Sequence, residues 1–545
     1  MLYVSEQTIR CTRLRYEVDP GTVDEKLIGM KISMYKKILA YENTSIIILL
    51  LLCLVIGVFT AKDYGESWDE SLIFDYAHYS IQAYQYILHP QELQPFVRDL
   101  DYYGPAYFVL ADISSRLINQ LEPSSSIITA RHFVYFCTFL AGVLVLYLLS
   151  KRWMSRWAAF GTALLFATQP LIWGHSFINP KDAPFMVFFL TSVYLGFQMM
   201  DASPGSKWKW LIPAGIILGL TISMRVIGPL AGLFVFLYAI LKVPRKIITT
   251  IPYYFLIAGI TTYLTWPYLW KAPIANFFES LKVMSSFPYD GQVLFMGKLY
   301  SANHLPRAYF PTLLGLQLTE PAMILIAIGF AVSLWLFIKG KNRELLLLFA
   351  GWFLAPAVWI VLSRSALYDN ARQLLFLWPP LFMLAGIGID QLMTTVKLPI
   401  LTTVLLIAMV LPGIYACTQL HPYEYIYYNS LISGVRGAYR KLELDYWNTS
   451  VKESMEYLNE NAAQGSTIMI IGNKQAAKQY ARPGFSIVYT IKTVKPEYQF
   501  YYLLSSTYGN RDLHHCDSSK IIFVVERDGG ILSYIKKVDS AQSCE

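Results

Sequence analysis

Residues 42–70 read ENTSIIILLLLCLVIGVFTAKDYGESWDE. An apolar run fills 42–61, and a few residues later two adjacent acids, Asp69 and Glu70, stand beside Trp68. A spanning helix needs roughly 20 mostly apolar residues, and this run has that length. Lys31, Lys36 and Lys37 precede it and no small-residue cleavage pattern follows, so it reads as a retained helix rather than a signal peptide. Ten further apolar segments follow, at 132–150, 157–174, 183–200, 209–224, 226–242, 247–266, 319–338, 345–362, 373–390 and 398–416.

Composition agrees with a chain built around a bilayer. Of the 545 residues, 55% are hydrophobic and 15% charged, against roughly 25% charged in soluble domains; mean hydropathy is +0.40. A soluble enzyme, a disordered chain and a collagen-like fibre are excluded. The six cysteines form no CxxC pair, which argues against a zinc ribbon or a thioredoxin-like centre. Cys516 and Cys544 share the polar tail and would pair only in an oxidising compartment. The net charge of +8 is spread over short basic runs between apolar segments, where it reports orientation rather than nucleic-acid binding.

Placing the N-terminus in the cytoplasm sends Lys151/Arg152/Arg156, Lys207/Lys209, Lys242/Arg245/Lys246 and Lys339/Lys341/Arg343 to the inner side, as the positive-inside bias requires. Residues 105–118 look apolar but carry Asp112 and Arg116; they are expected as an amphipathic helix at the outer surface. The organisation expected is a cytoplasmic segment (1–41), a polytopic α-helical membrane domain of about eleven spans (42–416) with outer loops 62–131 and 267–318, and an outer interfacial segment and small α/β tail (417–545). In the tail, Ser450 and Glu453 suggest a capping box, and STIMIIG, FSIVYTI and KIIFVV read as strands.

Three outer clusters could carry chemistry. Asp69 and Glu70 could accept a proton from a hydroxyl or help hold a divalent metal; solvated loop charges are the plain alternative. The loop His175-Ser176-Phe177-Ile178-Asn179-Pro180-Lys181-Asp182 offers a titratable group, a cation and a second acid near membrane depth; a capped turn into the next helix is its alternative. Arg364 and Arg372, with Tyr368 and Asp369 between them, suit an anionic headgroup or phosphate; snorkelling to lipid competes. Tyr423, Tyr425, Tyr427 and Tyr428 read as an interfacial aromatic belt or a sugar-stacking platform.

These motifs, in this order and on one face, give a resemblance. With SWDESLIFDYA, YYGPAYFVLA, LFATQPLIWGHSFINPKDAPF, YDNARQLLFLWPPL and HPYEYIYYNSLISGVRGAYRKLELDYW, the chain from about 40 to 450 resembles the GT-C superfamily of polyprenyl-phosphate-sugar-dependent glycosyltransferases. It is nearest the protein O-mannosyltransferase and aminoarabinose transferase group, family 39, and its bacterial RgtA/B/C/D-like relatives. The resemblance implies an inverting hexosyl- or pentosyltransferase in a multi-pass membrane setting, a bacterial inner membrane favoured over the endoplasmic reticulum. Its donor would be a polyprenyl-phosphate sugar and its acceptor a glycolipid, polysaccharide or protein. It also implies Asp69 as the base, Glu70 as its companion, Asp182 as the second acid with His175 and Lys181 beside it, and Arg372 with Tyr368 and Arg364 near the leaving phosphate. Relatives often carry a Lys- or His-Pro-Pro where this chain has Tyr103-Gly104-Pro105-Ala106. Tyr103 therefore takes a place usually next to a cation, with Arg98, Arg131 or Lys181 as substitutes. No cofactor is certain, a divalent metal remaining open. A transporter or flippase of lipid-linked sugars is the main competing reading, and a scaffold whose tail binds a partner the third.

Overall fold

The computed structural model describes residues 43–96, 100–285, 289, 291–363, 365–370, 372–396, 399–489, 501–510, 512–513 and 519–538. The expected N-terminal segment, Arg98, Arg364, Cys516 and Cys544 lie outside these residues. Helices occupy all eleven expected apolar segments, and among the described residues six are long and apolar enough to cross a membrane. In chain order the membrane region holds α1 (Thr44–Thr60), α2 (Glu70–Ala83), α3 (Ala106–Leu121), α4 (Ile127–Ser150), α5 (Arg156–Ala167), α6 (Pro170–Ile178), α7 (Asp182–Asp201), α8 (Lys207–Met224), α9 (Pro229–Lys242) and α10 (Ile251–Thr265). The second connecting region folds as α11 (Pro273–Ser285), a hairpin of β1 (Gln292–Phe295) and β2 (Lys298–Ser301), and α12 (Tyr309–Gln317). Then come α13 (Glu320–Ile338), α14 (Arg343–Ser363), α15 (Pro379–Val396) and α16 (Pro399–Leu420).

Two expected boundaries shift for the same reason. The segment at 157–174 is two helices, because Pro170 has no N–H to continue the ladder and starts a new helix instead. The buried Gln169 at the break donates to the Gln317 carbonyl (2.7 Å), so the interruption is tied to α12. The segment at 373–390 begins instead as a 3-10 turn, Arg372–Leu377, and its α-helix starts only at Pro379. That delay leaves Arg372 on an irregular backbone at the end of the bundle.

Apolar side chains alone give no preference between helices in lipid, so close approach must come from small residues. A Cβ on Gly329 would overlap the Leu384 carbonyl, and one on Gly388 the Leu325 carbonyl. The pair brings α13 and α15 into backbone contact, the most extensive helix pairing in the bundle. The basic clusters meet at one end of the bundle: Arg152 pairs with Asp201, Lys246 donates to the Met200 and Ala202 carbonyls (2.6 Å each), and Lys242 pairs with Glu344 at 3.3 Å. Asp69, Asp182, Arg225 and Arg372 gather elsewhere: Asp182 joins the two arginines, and Arg372 reaches Asp69. Helix α3 forms as expected. It buries Asp112, pairs it with Arg116 at 2.8 Å, and exposes Leu110, Ile113, Leu117 and Leu121.

The tail contains α17 (Val451–Asn461), β3 (Thr467–Ile471), α18 (Lys474–Tyr480), β4 (Ser486–Val488), β5 (Tyr501–Ser506), β6 (Lys520–Arg527) and β7 (Gly530–Val538). Its sheet runs β4-β3-β5-β7-β6; the first three strands are parallel and the remaining pairings antiparallel. Strands β5 (YYLLSS) and β7 (GILSYIKKV) were not anticipated. The expected capping box is absent, because both of its side chains are engaged elsewhere. The Ser450 hydroxyl binds Asp445 and Ser533, and Glu453 accepts from Tyr423 (2.9 Å) and pairs with Arg527 (2.9 Å).

The tyrosine-rich link is neither an aromatic belt nor a stacking platform. Tyr423, Tyr425, Tyr427 and Tyr428 are all buried. Three of their hydroxyls bond inside the protein: Tyr423 to Glu453, Tyr425 to Asp445, and Tyr428 to the Glu443 carbonyl at 3.0 Å. The link thus packs the tail onto the membrane domain, helped by Tyr64 donating to Glu424 (2.9 Å) and by the Gly297 N–H of the β1–β2 turn donating to the Lys441 carbonyl (2.9 Å).

Asp445 makes this seam sensitive to pH. Burial pushes its carboxyl up to about 7, against the opposing bonds from Ser450 and Tyr425. A carboxyl whose folded pKa is raised favours folding while protonated, so its contribution is full below about pH 4 and is lost as pH rises to about 7. The Tm of Asp445→Asn should therefore gain on wild type as pH climbs through that window. A constant difference would show that Asp445 does not titrate there.

Candidate functional site

The site is assembled around an arginine. In Tyr368-Asp369-Asn370, both Asp369 (φ 53°) and Asn370 (φ 57°) take the left-handed conformation, which their short polar side chains tolerate. Asn370 is held by donating to the Glu443 carbonyl (3.1 Å). The turn folds Asp369 back under Arg372, whose Nε and Nη2 donate to its Oδ2 at 3.2 and 3.0 Å. Arg372 Nη1 donates to Asp182 Oδ2 at 2.7 Å, and its Nη2 lies 3.9 Å from Asp69. The guanidinium also sits over Trp447, 4.8 Å from the ring centre, and over Tyr368 at 5.3 Å. Burial would lower its pKa, but the facing carboxylates raise it, so it stays charged.

Asp182 opens α7 from a turn organised by Asn179, whose Oδ1 accepts from the N–H groups of Lys181 (3.0 Å) and Asp182 (2.7 Å). The Asn179 amide donates to Asp182 (3.1 Å) and lies 3.1 Å from His175 Nδ1. Tyr446 contacts the other ring nitrogen of His175 at 2.9 Å. His175 is thus a buried brace behind the turn. Asp182 has Arg225 on its other oxygen.

Asp69 is the more accessible acid, its side chain 24% exposed against 1% for Asp182. Lys181 Nζ lies 2.6 Å from its Oδ2. Burial alone would raise the Asp69 pKa, but Lys181 and Arg372 outweigh it and hold the carboxyl below the usual range. Asp69, Lys181, Arg372, Tyr103 and Tyr368 line one cavity of about 330 Å³, closed on the tail side by Tyr446, Trp447 and Tyr508. At Tyr103 and Tyr368 it meets a second cleft of about 640 Å³, mostly apolar and lined by Leu230, Met284, Trp359 and Ile360 among others. Arg225 and Gln373 stand in that cleft, where Arg225 Nε and both polar atoms of the Gln373 amide are buried without a hydrogen-bond partner among the described residues.

Six of the expected residues are therefore brought together: Asp69, Lys181, Asp182, Arg372, Tyr368 and Tyr103. Glu70 is not among the cavity residues. Its side chain is fully buried, accepting from the Ser67 N–H (2.6 Å) and lying 3.2 Å from His132 Nε2. It fixes the start of α2 and with it the placement of Asp69. Arg364 lies outside the described residues. Sequence reading missed the part played by Arg225, although a charge between two spans followed by Gly-Pro was a signal. It gave no part to Trp447, the last residue of the quoted stretch HPYEYIYYNSLISGVRGAYRKLELDYW, and missed Tyr508 altogether.

A divalent metal finds no ready ligand set here. Among the described residues no group of three or more His, Cys, Asp and Glu could hold one. Asp69, Asp182 and Asp369 converge on Arg372, which occupies the position a metal would take between them.

Residues 47–274 match the family model described as dolichyl-phosphate-mannose-protein mannosyltransferase. Over 187 residues the chain is 27% identical to dolichyl-phosphate-mannose--protein mannosyltransferase 1 of Saccharomyces cerevisiae; the match takes in 33% of this chain and only 23% of the yeast protein's length. Among solved structures, ArnT from Cupriavidus metallidurans bound to undecaprenyl phosphate aligns over 92% of this chain and 99% of its own, at 13% identity and a TM-score of 0.50. An oligosaccharyltransferase from Archaeoglobus fulgidus aligns over 91% of this chain and 73% of its own, at 11% identity and a TM-score of 0.46. The partial family match, the yeast relative and the fold shared with ArnT bear out the resemblance to the GT-C superfamily of membrane glycosyltransferases.

Proposed function

We propose that the chain transfers a sugar from a polyprenyl-phosphate carrier to an acceptor hydroxyl on the non-cytoplasmic face, inverting the anomeric carbon. One observation carries this reading: a polar cavity holding an accessible, ionised carboxylate opens, at a cluster of cations, into an apolar cleft that suits a lipid chain. The phosphate would sit at that junction. Among the described residues Arg225 Nε and the Gln373 amide lack partners there, and unsatisfied buried donors are costly unless a ligand completes them.

In the reaction the acceptor oxygen attacks the anomeric carbon. The bond from that carbon to the phosphate oxygen breaks with its electron pair going to phosphate, and the acceptor proton passes to Asp69. Asp69 is ionised well below neutral pH and so is always ready to accept. It is a weak base in the resting site, and the proton moves once the attacking hydroxyl has acidified. Arg225, Lys181 and Arg372 oppose the charge developing on the leaving phosphate, commonly the largest electrostatic contribution. Asp182 holds two of these cations in position. We further propose eleven spans, a cytoplasmic N-terminus and an outer tail, in keeping with the basic loops gathered at one end of the bundle. A bacterial plasma membrane is the setting we favour.

The central test is transfer from a panel of radiolabelled polyprenyl-phosphate sugars. Asp69→Asn should lose about a hundredfold or more in kcat while its Tm and donor binding hold; normal turnover would remove Asp69 as the base. Asp182→Ala should behave differently, leaving Arg372 and Arg225 buried without their shared carboxylate. A stability loss of about 3–5 kcal/mol is expected, read as a lowered Tm in detergent, and an unchanged Tm would contradict the bracing role. Lys181 should show in the pH profile. Because Lys181 lowers the Asp69 pKa, activity should fall only as pH drops through that lowered value. Lys181→Met raises it, so the acid limb of kcat/KM should move to higher pH, and an unmoved limb would separate it from Asp69.

A further inference from the structure

A third cavity, of about 280 Å³, lies in the tail beside the Asp69 cavity and takes no part in the reaction as described. Its place in the fold follows from the sheet. From β3 the chain moves out to β4 on one side and returns to β5 on the other, with β3 parallel to both. The winding therefore reverses at the β3–β5 junction, and ligands of open α/β sheets bind outside the carboxyl ends of strands at such a point. The cavity is lined by the residues ending all three parallel strands: Ile471 at the end of β3 and Gly472 after it, Ser506 at the end of β5, and Tyr489 after β4.

Its lining chemistry is selective. Trp68, Tyr489 and Tyr508 supply aromatic faces, with Lys474 Nζ 4.7 Å from the Tyr489 ring centre; Asn448 and Ser506 supply neutral polar groups, and among the described residues none that lines the cavity is charged. Trp68 and Tyr489 are large aromatics left 45% and 62% exposed. Gly472 is required, because a Cβ there would meet Asn448 Oδ1 at 2.6 Å. A neutral ligand with hydroxyls around its rim and an apolar C–H face fits this wall, which is the description of a pyranose ring. The volume, just under the lower end of the usual small-molecule range of about 300–1,000 Å³, suits one ring rather than a folded partner. A peptide adding to the sheet would use an edge, β4 or β6, not the strand ends.

Trp68 and Tyr508 line this cavity and the Asp69 cavity alike. Both are fixed in place. The Trp68 backbone N–H donates to the Trp447 carbonyl (3.1 Å), and the Tyr508 hydroxyl donates to Asp369 (2.8 Å). A saccharide seated against them would present its neighbouring unit to Asp69. We propose that this crevice is an acceptor subsite for a saccharide unit, so that the acceptor is a glycan or glycolipid sugar rather than a protein Ser or Thr. This rests on the glycosyl-transfer reading above and narrows its acceptor.

The test uses the full chain in nanodiscs, with saturation-transfer NMR to maltose, cellobiose, lactose and mannobiose, and to a Ser/Thr hexapeptide. At least one disaccharide should bind. Tyr489→Ala and Trp68→Ala, each checked for an unchanged Tm, should weaken it about tenfold or more, and Asp69→Asn should still bind it. The subsite is overturned if no disaccharide binds, if binding is indifferent to Tyr489→Ala, or if the hexapeptide displaces the sugar. The transfer reading fails separately, on donor turnover by wild type and Asp69→Asn, which requires no saccharide binding.

Discussion

The buried Arg372 is the constraint on which the other parts of the site depend. A guanidinium in this position cannot shed its charge, and removing it from water costs several kcal/mol unless carboxylates and hydrogen bonds replace the solvent. Asp369 and Asp182 supply the close contacts and Asp69 a longer one. Those acids come from three distant parts of the chain: the start of α2, the start of α7 and the turn before the Arg372–Leu377 3-10 segment. Satisfying one charge thus fixes the relative placement of three elements that apolar packing alone would leave free to slide. Arg225 extends the constraint to the end of α8 through the second oxygen of Asp182.

The same requirement explains why the tail belongs to the site. Asp369 Oδ1 accepts from Tyr508, Asn370 donates to the Glu443 carbonyl, and Trp447 covers Arg372. On the other side, Glu66 donates its N–H to the Tyr480 hydroxyl (2.8 Å), and His421 lies 3.1 Å from Asp63 and 2.9 Å from Glu424. The cavity wall is therefore mostly membrane domain, completed by Tyr446, Trp447 and Tyr508 of the tail. A boundary near residue 416 marks a change of composition, but energetically the tail closes the ion network.

Legibility in the sequence followed the range of the interactions. Spans were readable because apolar runs are local and long. The corrections came where a proline or a distant partner decided, as at Pro170 and Pro379, or where Glu453 was taken by Arg527 instead of a capping box. Asp69, Lys181, Asp182 and Arg372 were readable because charged residues are rare near membrane depth and each is expensive. The tyrosine-rich link misled, since a polar-tipped aromatic serves equally at a bilayer interface and inside a protein with a partner for its hydroxyl. Only the partners, Glu453, Asp445 and the Glu443 carbonyl, distinguish the two. The roles of Trp447 and Tyr508 were illegible for a simpler reason, as the Arg372 and Asp369 they touch lie far away in the chain.

The charges around the resting cavity balance, with Asp69, Asp182 and Asp369 facing Lys181, Arg225 and Arg372. In the proposed reaction a lipid phosphate upsets that balance and must recruit a cation already engaged. Arg372 is held by two close carboxylates, and Arg225 by Asp182. Lys181 is the looser of the three: a flexible ammonium with one carboxylate contact among the described residues, 5.6 Å from the Tyr103 ring that borders the apolar cleft. Its movement toward phosphate would strengthen two groups together. The leaving phosphate would gain a counter-charge, while Asp69 would lose the cation that depresses its basicity. A base kept weak until the donor arrives does not need to be strong at rest, and that reconciles the low pKa of Asp69 with its proposed work.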